Sequence, residues 1–126
     1  IVNKVFRFRQ FQVYIDARKF NQELKDFSRK NFPKSEQFCL LSQLWRALDS
    51  IVLNIAEGAD RGTDKDFAHF LNISLTSLNE VVACLDISLD NSYITQKEQE
   101  FYLDKAVLLS KQLTAFRKRL INFPEK

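Results

Sequence analysis

The stretch Asn54-Ile55-Ala56-Glu57-Gly58-Ala59-Asp60-Arg61 holds the chain's most distinctive group of chemically capable residues. Steps of three and four place Asn54, Glu57 and Arg61 on one side of a helix, with Glu57 and Arg61 in the favourable acid-first i,i+4 order. Gly58 between them lets a second backbone come close. Two uses of this corner stay open: a clamp in which Glu57 and Arg61 tie a helix end and Asn54 satisfies a carbonyl, or a surface for a ligand or partner. Catalysis by Glu57 would need a second acid, a histidine or a metal set beside it, and the sequence supplies none.

The remaining reactive residues exclude more than they suggest. His69, the one histidine, follows Asp66 by three positions, but a di-iron bundle needs two Glu-x-x-His motifs and a triad needs partners placed around the ring. Cys39 and Cys84 sit in the apolar runs FCLL and VVACL without C-x-x-C spacing, and are expected to be two small buried hydrophobes. Phosphate-binding glycine loops and the G-x-S-x-G nucleophile turn are absent. Asn72-Ile73-Ser74 matches a glycosylation acceptor but carries no meaning inside a cytosolic helix. The expectation is a non-enzymatic protein with no cofactor and no metal.

Charge is distributed with more information than its total. The net +3 combines nine Lys/Arg against three acids over residues 4–34, three against nine over 35–94, and seven against four over 95–126, or +6, −6 and +3. Arg18, Gln22, Lys25 and Arg29 share one helix face at a spacing that a phosphate backbone could use. Lys111 and Lys118 of the basic C-terminal stretch complete the candidate contacts to RNA, DNA or a nucleoprotein. Arg117-Lys118-Arg119 spreads over about 200° of helix and is not one face. The same dipole also suits a head-to-tail contact between subunits, or an ordinary solvated surface.

These side chains need elements to hold them. The 126 residues are 45% hydrophobic and 28% charged with two Gly and two Pro, a composition that favours one helical domain over an all-β chain. Apolar residues at three and four spacing predict helices near 10–30, 36–60, 64–91 and 96–122. Helix two is expected to carry Phe38, Leu41, Trp45, Leu48, Val52, Ile55 and Ala59 inward and to end at Gly62. Thr63 with Asp66, and Thr95 with Glu98, read as N-terminal capping pairs, and Pro124 stops the last helix. Short connections imply an antiparallel up-down-up-down four-helix bundle over residues 1–126. The alternation Phe6-Arg7-Phe8-Arg9 suggests an extended strap before Gln10.

Helix two also carries a second stripe, Leu40, Leu44, Ala47 and Ile51, continuing through Asn54, Gly58 and Arg61; helix three adds Phe70 and Ile73. A second stripe suggests burial against another subunit, so an oligomer is expected; the alternative is a wide core stripe in a tightly packed monomer. No uncharged apolar run approaches the ~18 residues of a spanning helix and no signal-peptide order is present, so a cytoplasmic protein with no membrane partner is expected. Met is absent and Ile1 is not an initiator, which suits numbering that begins inside a longer chain.

The segments Leu44-Trp45-Arg46-Ala47-Leu48-Asp49-Ser50-Ile51 and Asn54 to Arg61, followed by Asp66-Phe67, Phe70-Leu71, Ser77-Leu78-Asn79-Glu80 and Tyr93-Ile94, resemble the signature of the bacterial four-helix-bundle proteins encoded in intervening sequences of large-subunit ribosomal RNA genes. Phe32-Pro33 fits as well. Trp45, where a basic residue is common, and Leu75-Thr76, where a small Gly is common, depart from that pattern. The resemblance implies four-helix protomers in a homopentameric ring. The chain is also similar to the accessory variability protein of diversity-generating retroelements, a related bundle that binds nucleic acid and a reverse transcriptase, and this implies a binding role.

Overall fold

The computed structural model describes residues 5–122, and every regular element among them is helical. α1 spans Gln12–Asn31, α2 Leu40–Ala59, α3 Asp64–Asp90 and α4 Gln96–Asn122, with short 3-10 turns at Arg7–Gln10 and Lys34–Glu36. Lys4 and the expected stop Pro124 lie outside the described residues. Cross-links fix the direction of each neighbour. Asp16 meets Gln112 while Glu23 meets Lys105, Ser28 meets Trp45 while Asn21 meets Asp49, and Arg46 meets Glu80 while Ile51 meets Ser74. Phe67 on Phe116 and Asp86 on Gln99 complete the circuit, so the four helices run up-down-up-down.

The core follows the heptad stripes. Val13, Ala17, Phe20 and Leu24 of α1 face Leu44, Leu48, Ile51 and Ile55 of α2, Leu71, Leu78, Val81 and Leu85 of α3, and Ala106, Leu109 and Leu113 of α4, all buried. Each fully buried Leu or Ile contributes about 1.5–3 kcal/mol relative to exposure, and this burial holds the helices together. The second stripe of α2 belongs to the same core: Leu44, Ala47, Ile51 and Gly58 are buried inside the protomer. Small partners on α3 make that possible. Ser74 and Ser77 are buried against α2, where Ser74 Oγ donates to the Ile51 carbonyl at 2.9 Å and Ser77 shares a 2.7 Å hydrogen bond with Ser50. The stripe expected to be buried against another subunit is therefore covered by α3 within the protomer, where small side chains let the two helices close. α3 is long and apolar enough, by length and composition, to cross a membrane, yet its apolar side chains pack against α2 and α4.

Three local expectations fail for identifiable reasons. α2 begins at Leu40, because Pro33 is extended (ψ 152°), Lys34–Glu36 turns as a 3-10 helix, and Cys39 has φ −122° and ψ −106°. Phe38 and Cys39 thus lie in the connection, where helical spacing does not apply, and both are exposed, Phe38 at 86%. Cys84 is buried as expected, and burial pushes its thiol up. Glu36 supplies the start of α2 instead: it accepts Tyr93 Oη at 2.7 Å and the Leu40 amide at 3.2 Å, and these bonds hold its carboxyl below the ordinary value. At the other end α2 stops at Ala59 without a left-handed glycine, since no glycine has positive φ. Arg7 Nη2 donates to the Ala59 carbonyl at 2.8 Å and the Arg61 amide to Gly58 O at 3.1 Å, which satisfies the terminal acceptors without Gly62. The strap supplying Arg7 is a 3-10 turn, not an extended segment.

Both capping pairs form. Thr63 Oγ1 accepts the Asp66 amide at 3.1 Å; Thr95 and Glu98 exchange two bonds, 2.8 and 3.2 Å, as a full capping box. α3 ends in a Schellman motif, with the Ser92 amide bonding Leu89 O and the Tyr93 amide bonding Ser88 O, both at 2.9 Å. Its left-handed residue is Ser92, φ 62°, where a glycine would carry no Cβ penalty. Ser92→Gly should therefore raise stability in urea denaturation by roughly 0.5–1 kcal/mol. Unchanged or lower stability would show that the turn holds serine without strain.

Candidate nucleic-acid interface

The five candidate cations separate into two groups. Lys25 faces α2: its Nζ lies 2.6 Å from Asp49 Oδ1, which also accepts Asn21 Nδ2 at 3.0 Å, and 5.4 Å from the Trp45 ring centroid. Arg29 lies 5.1 Å over the same ring and bonds Asp26 Oδ1 at 2.8 Å. Trp45 is itself pinned, its indole N–H donating to the buried Ser28 Oγ at 3.0 Å. Lys25 and Arg29 therefore build the α1–α2 seam around the tryptophan, and the expected row of phosphate contacts along α1 is broken by intramolecular partners. Exposed ion pairs contribute little, but Lys25 is held on two sides and its side chain is only 22% exposed.

Arg18, Lys111 and Lys118 form the other group. All three are exposed and none makes an ion pair among the described residues; Arg18 lies 5.7 Å over the Tyr14 ring. The Gln112 to Asp16 hydrogen bond, 2.9 Å, sets the level at which α4 crosses α1 and puts Lys111 level with the α1 turn carrying Lys19, whereas Arg18 on that turn lines the α1–α2 groove with Val52 and Leu53. Lys19 is also exposed and without an ion pair, a neighbour that the choice of one helix face had left out. The acids here are engaged elsewhere: Asp16 by Gln12 and Gln112, Glu23 by Lys105 at 2.9 Å. The outward α1–α4 face is thus positive at its α1 N-terminal end.

The Asn54 to Arg61 corner is built as a clamp. Asn54 Nδ2 donates to the Ser50 carbonyl at 2.8 Å and to Ser50 Oγ at 3.0 Å, so it faces its own helix rather than joining Glu57. Glu57 and Arg61 pair at 2.7 Å, and the Arg61 guanidinium lies 4.5 Å from the Phe70 centroid, so the pair ties the α2 end to α3. A Cβ on Gly58 would stand 2.7 Å from Phe70 Cβ and 2.9 Å from Phe67 Cδ1. Only glycine fits. Sequence spacing anticipated the Glu57–Arg61 pair and the close approach, but not Arg7, which lies 52 positions from the carbonyl that it caps.

A family model described as 23S rRNA-intervening sequence protein matches residues 9–115. The chain belongs to that family. It is also similar in fold to the crystal structure of a protein of unknown function from the S23 ribosomal protein family of Bacteroides thetaiotaomicron, with a TM-score of 0.76 and 24% identity over 84% of this chain and 98% of that one. No curated protein matches. Among the described residues no group of three or more His, Cys, Asp and Glu is placed to hold a metal.

Two outcomes test this geometry. In an open helix Gly→Ala gains about 1 kcal/mol of helix propensity, whereas overpacking costs about 1–3 kcal/mol. Gly58→Ala should lower stability in chemical denaturation and Gly58→Leu should lower it further; a stabilised alanine variant would mean that α2 and α3 have room to spare. The second outcome concerns acid. Burial pushes the Asp49 carboxyl up, but hydrogen bonds from Lys25 and Asn21 outweigh it and leave the group below its ordinary value. A depressed carboxylate adds stability above its unfolded pKa and loses it as pH falls through the folded one. Asp49→Asn should accordingly flatten the acid limb of the stability–pH curve, and an unaltered limb would remove Lys25–Asp49 from the stabilising contacts.

Proposed function

We propose that this chain is a non-enzymatic, self-assembling bundle that binds nucleic acid, RNA foremost, or a nucleoprotein through the positive α1–α4 face. One observation carries the reading: Lys19, Lys111 and Lys118 stand exposed without ion pairs among the described residues, with Arg18 likewise exposed and unpaired on the α2 side of the same α1 turn, while Lys25, Arg29 and Lys105 on the same two helices are paired. Unpaired cations on neighbouring helices neutralise phosphates and release counterions, which gives affinity without base specificity. The family's description, tied to 23S rRNA, supports an RNA setting.

Self-assembly is part of the same reading. Leu53 at 63% exposure and Phe6 at 62% line a groove of α2 against the strap, apart from the candidate cations. A second copy covering this apolar surface leaves the cationic α1–α4 side outward, and the family resemblance supports five copies. The alternative, an oligomer with no nucleic-acid role, predicts a different response to charge removal.

The decisive variant is Arg18→Gln with Lys111→Gln and Lys118→Gln, measured for oligomer mass by light scattering and for RNA and duplex-DNA affinity across a salt series on one preparation. The expected result is a closed oligomer of unchanged mass, most simply a pentamer, with affinity lost alike for all sequences and a salt slope flattened by up to about one unit per lost contact. Lys25→Gln should instead loosen the fold with little effect on binding. Dissociation of the triple variant without loss of nucleic-acid affinity would move these cations to the subunit contact, and a monomeric wild type would remove the assembly.

A further inference from the structure

At the end of the bundle where α3 begins and α4 finishes, the two helices part around a groove of 580 Å³, within the range of small-molecule sites. Its apolar lining is Ala68, Leu120 and Ile121; its polar groups are Thr63, Asp64, Lys65, His69, Asn72 and Arg117. Arg117 is the anomaly. Its Nε is buried and has no hydrogen-bond partner among the described residues, the one side-chain nitrogen or oxygen in that condition. A guanidinium is donor-only, so a desolvated Nε–H without an acceptor is an unmet demand for an oxygen. Because Nε is closed to solvent, an oxygen reaches it only when the Arg117 side chain turns into the groove, where Nε and a terminal nitrogen together form the fork that grips two oxygens of one phosphate or carboxylate.

The rest of the lining says what such an anion would be attached to. Asn72 makes no hydrogen bond among the described residues, and its amide offers the donor and acceptor pair that reads a base edge. His69 presents an exposed ring one turn earlier on the same face, a surface on which an unstacked base can lie. Lys65 adds a second cation. Asp64 is the one acid on the lining, and Asp64 and Asp66 already offset the positive end of α3, so the guanidinium rather than the helix start defines the anion position.

We propose that the α3–α4 groove is a binding site for a nucleoside monophosphate unit, with Arg117 on the phosphate and the His69–Asn72 side on the base. The unit has two sources, a free nucleotide or one residue of a bound single strand. The second rests on the nucleic-acid function proposed above; the first does not.

Calorimetric titration of the whole chain with AMP, inorganic phosphate and a short single-stranded oligoadenylate tests it. Saturable AMP binding, with phosphate much weaker, is expected. Arg117→Gln should weaken AMP about tenfold or more, the loss of a charged hydrogen bond, without lowering the melting temperature, and Arg117→Lys should not restore the fork. His69→Ala, a change at an exposed position whose ring meets Phe70 edge-on, should keep the fold, weaken AMP and leave phosphate unaffected, and it decides the matter if an Arg117 variant does not fold. AMP binding without oligoadenylate binding supports the groove, assigns the free nucleotide and removes the strand. Tighter oligoadenylate binding that is sensitive to Arg117 assigns the strand. Absence of saturable binding to both probes, or binding indifferent to Arg117 and His69, overturns the site even where RNA still binds through Arg18, Lys111 and Lys118.

Discussion

α2 and α3 lie close because small side chains meet along their contact, and the remainder of the molecule depends on that approach. Gly58 under Phe67 and Phe70, Ser50 against Ser77, and Ser74 beneath the Ile51 carbonyl replace bulk with backbone contact and short hydrogen bonds. The hydroxyls are satisfied, so their burial carries no penalty for an unmet donor. Once these helices are fixed, the Glu57–Arg61 pair has one place to stand, above Phe70, and the phenylalanine cluster of Phe11, Phe67 and Phe116 closes the same end. α4 then inherits its position from α3, and α1 is laid against both α2 and α4.

The distribution of ion pairs follows from that order of construction. Where α1 meets α2, charges face inward and find partners: Lys25 reaches Asp49, and both Lys25 and Arg29 flank Trp45. Where α1 and α4 turn outward, the basic residues outnumber the available acids, because Asp16 and Glu23 are already bonded across the helices. The positive face is thus the residue of a pairing problem solved elsewhere, and the dipole visible along the chain becomes a local field at one flank.

Helix number, direction and core composition were legible because apolar spacing at three and four is a strong signal over helices of twenty residues and more. Boundaries were less so. Phe38 and Cys39 look like the first turn of α2 in sequence, but Glu36, reaching the Leu40 amide and Tyr93, moves the start forward, and a partner 57 positions away leaves no local trace. Gly62 has the right residue type for a helix stop, yet the work is done by Arg7 from the strap. The second stripe of α2 was legible as apolar and illegible as to what covers it, since only the small residues of α3 distinguish an internal contact from an external one. At the site, identity was readable and engagement was not: Lys25 and Arg18 are equivalent in spacing, and tertiary neighbours alone separate them.

The seam between α1 and α4 is the thinnest between neighbouring helices. Its rungs are polar, Gln112 to Asp16 and Lys105 to Glu23, with a groove between them and Leu108 left 61% exposed beside it. Local opening below the global transition is favoured where packing is thinnest and cross-links face solvent, even though Phe27 on Tyr102 and Phe11 on Phe116 close this seam beneath its rungs. α2, α3 and α4 share the more extensive contacts, and α1 is held to them by Val13, Ala17, Phe20 and Leu24 and by these rungs. Any opening that spares the α2–α3 contact would therefore begin at this seam and free the helix bearing Arg18 and Lys19 first.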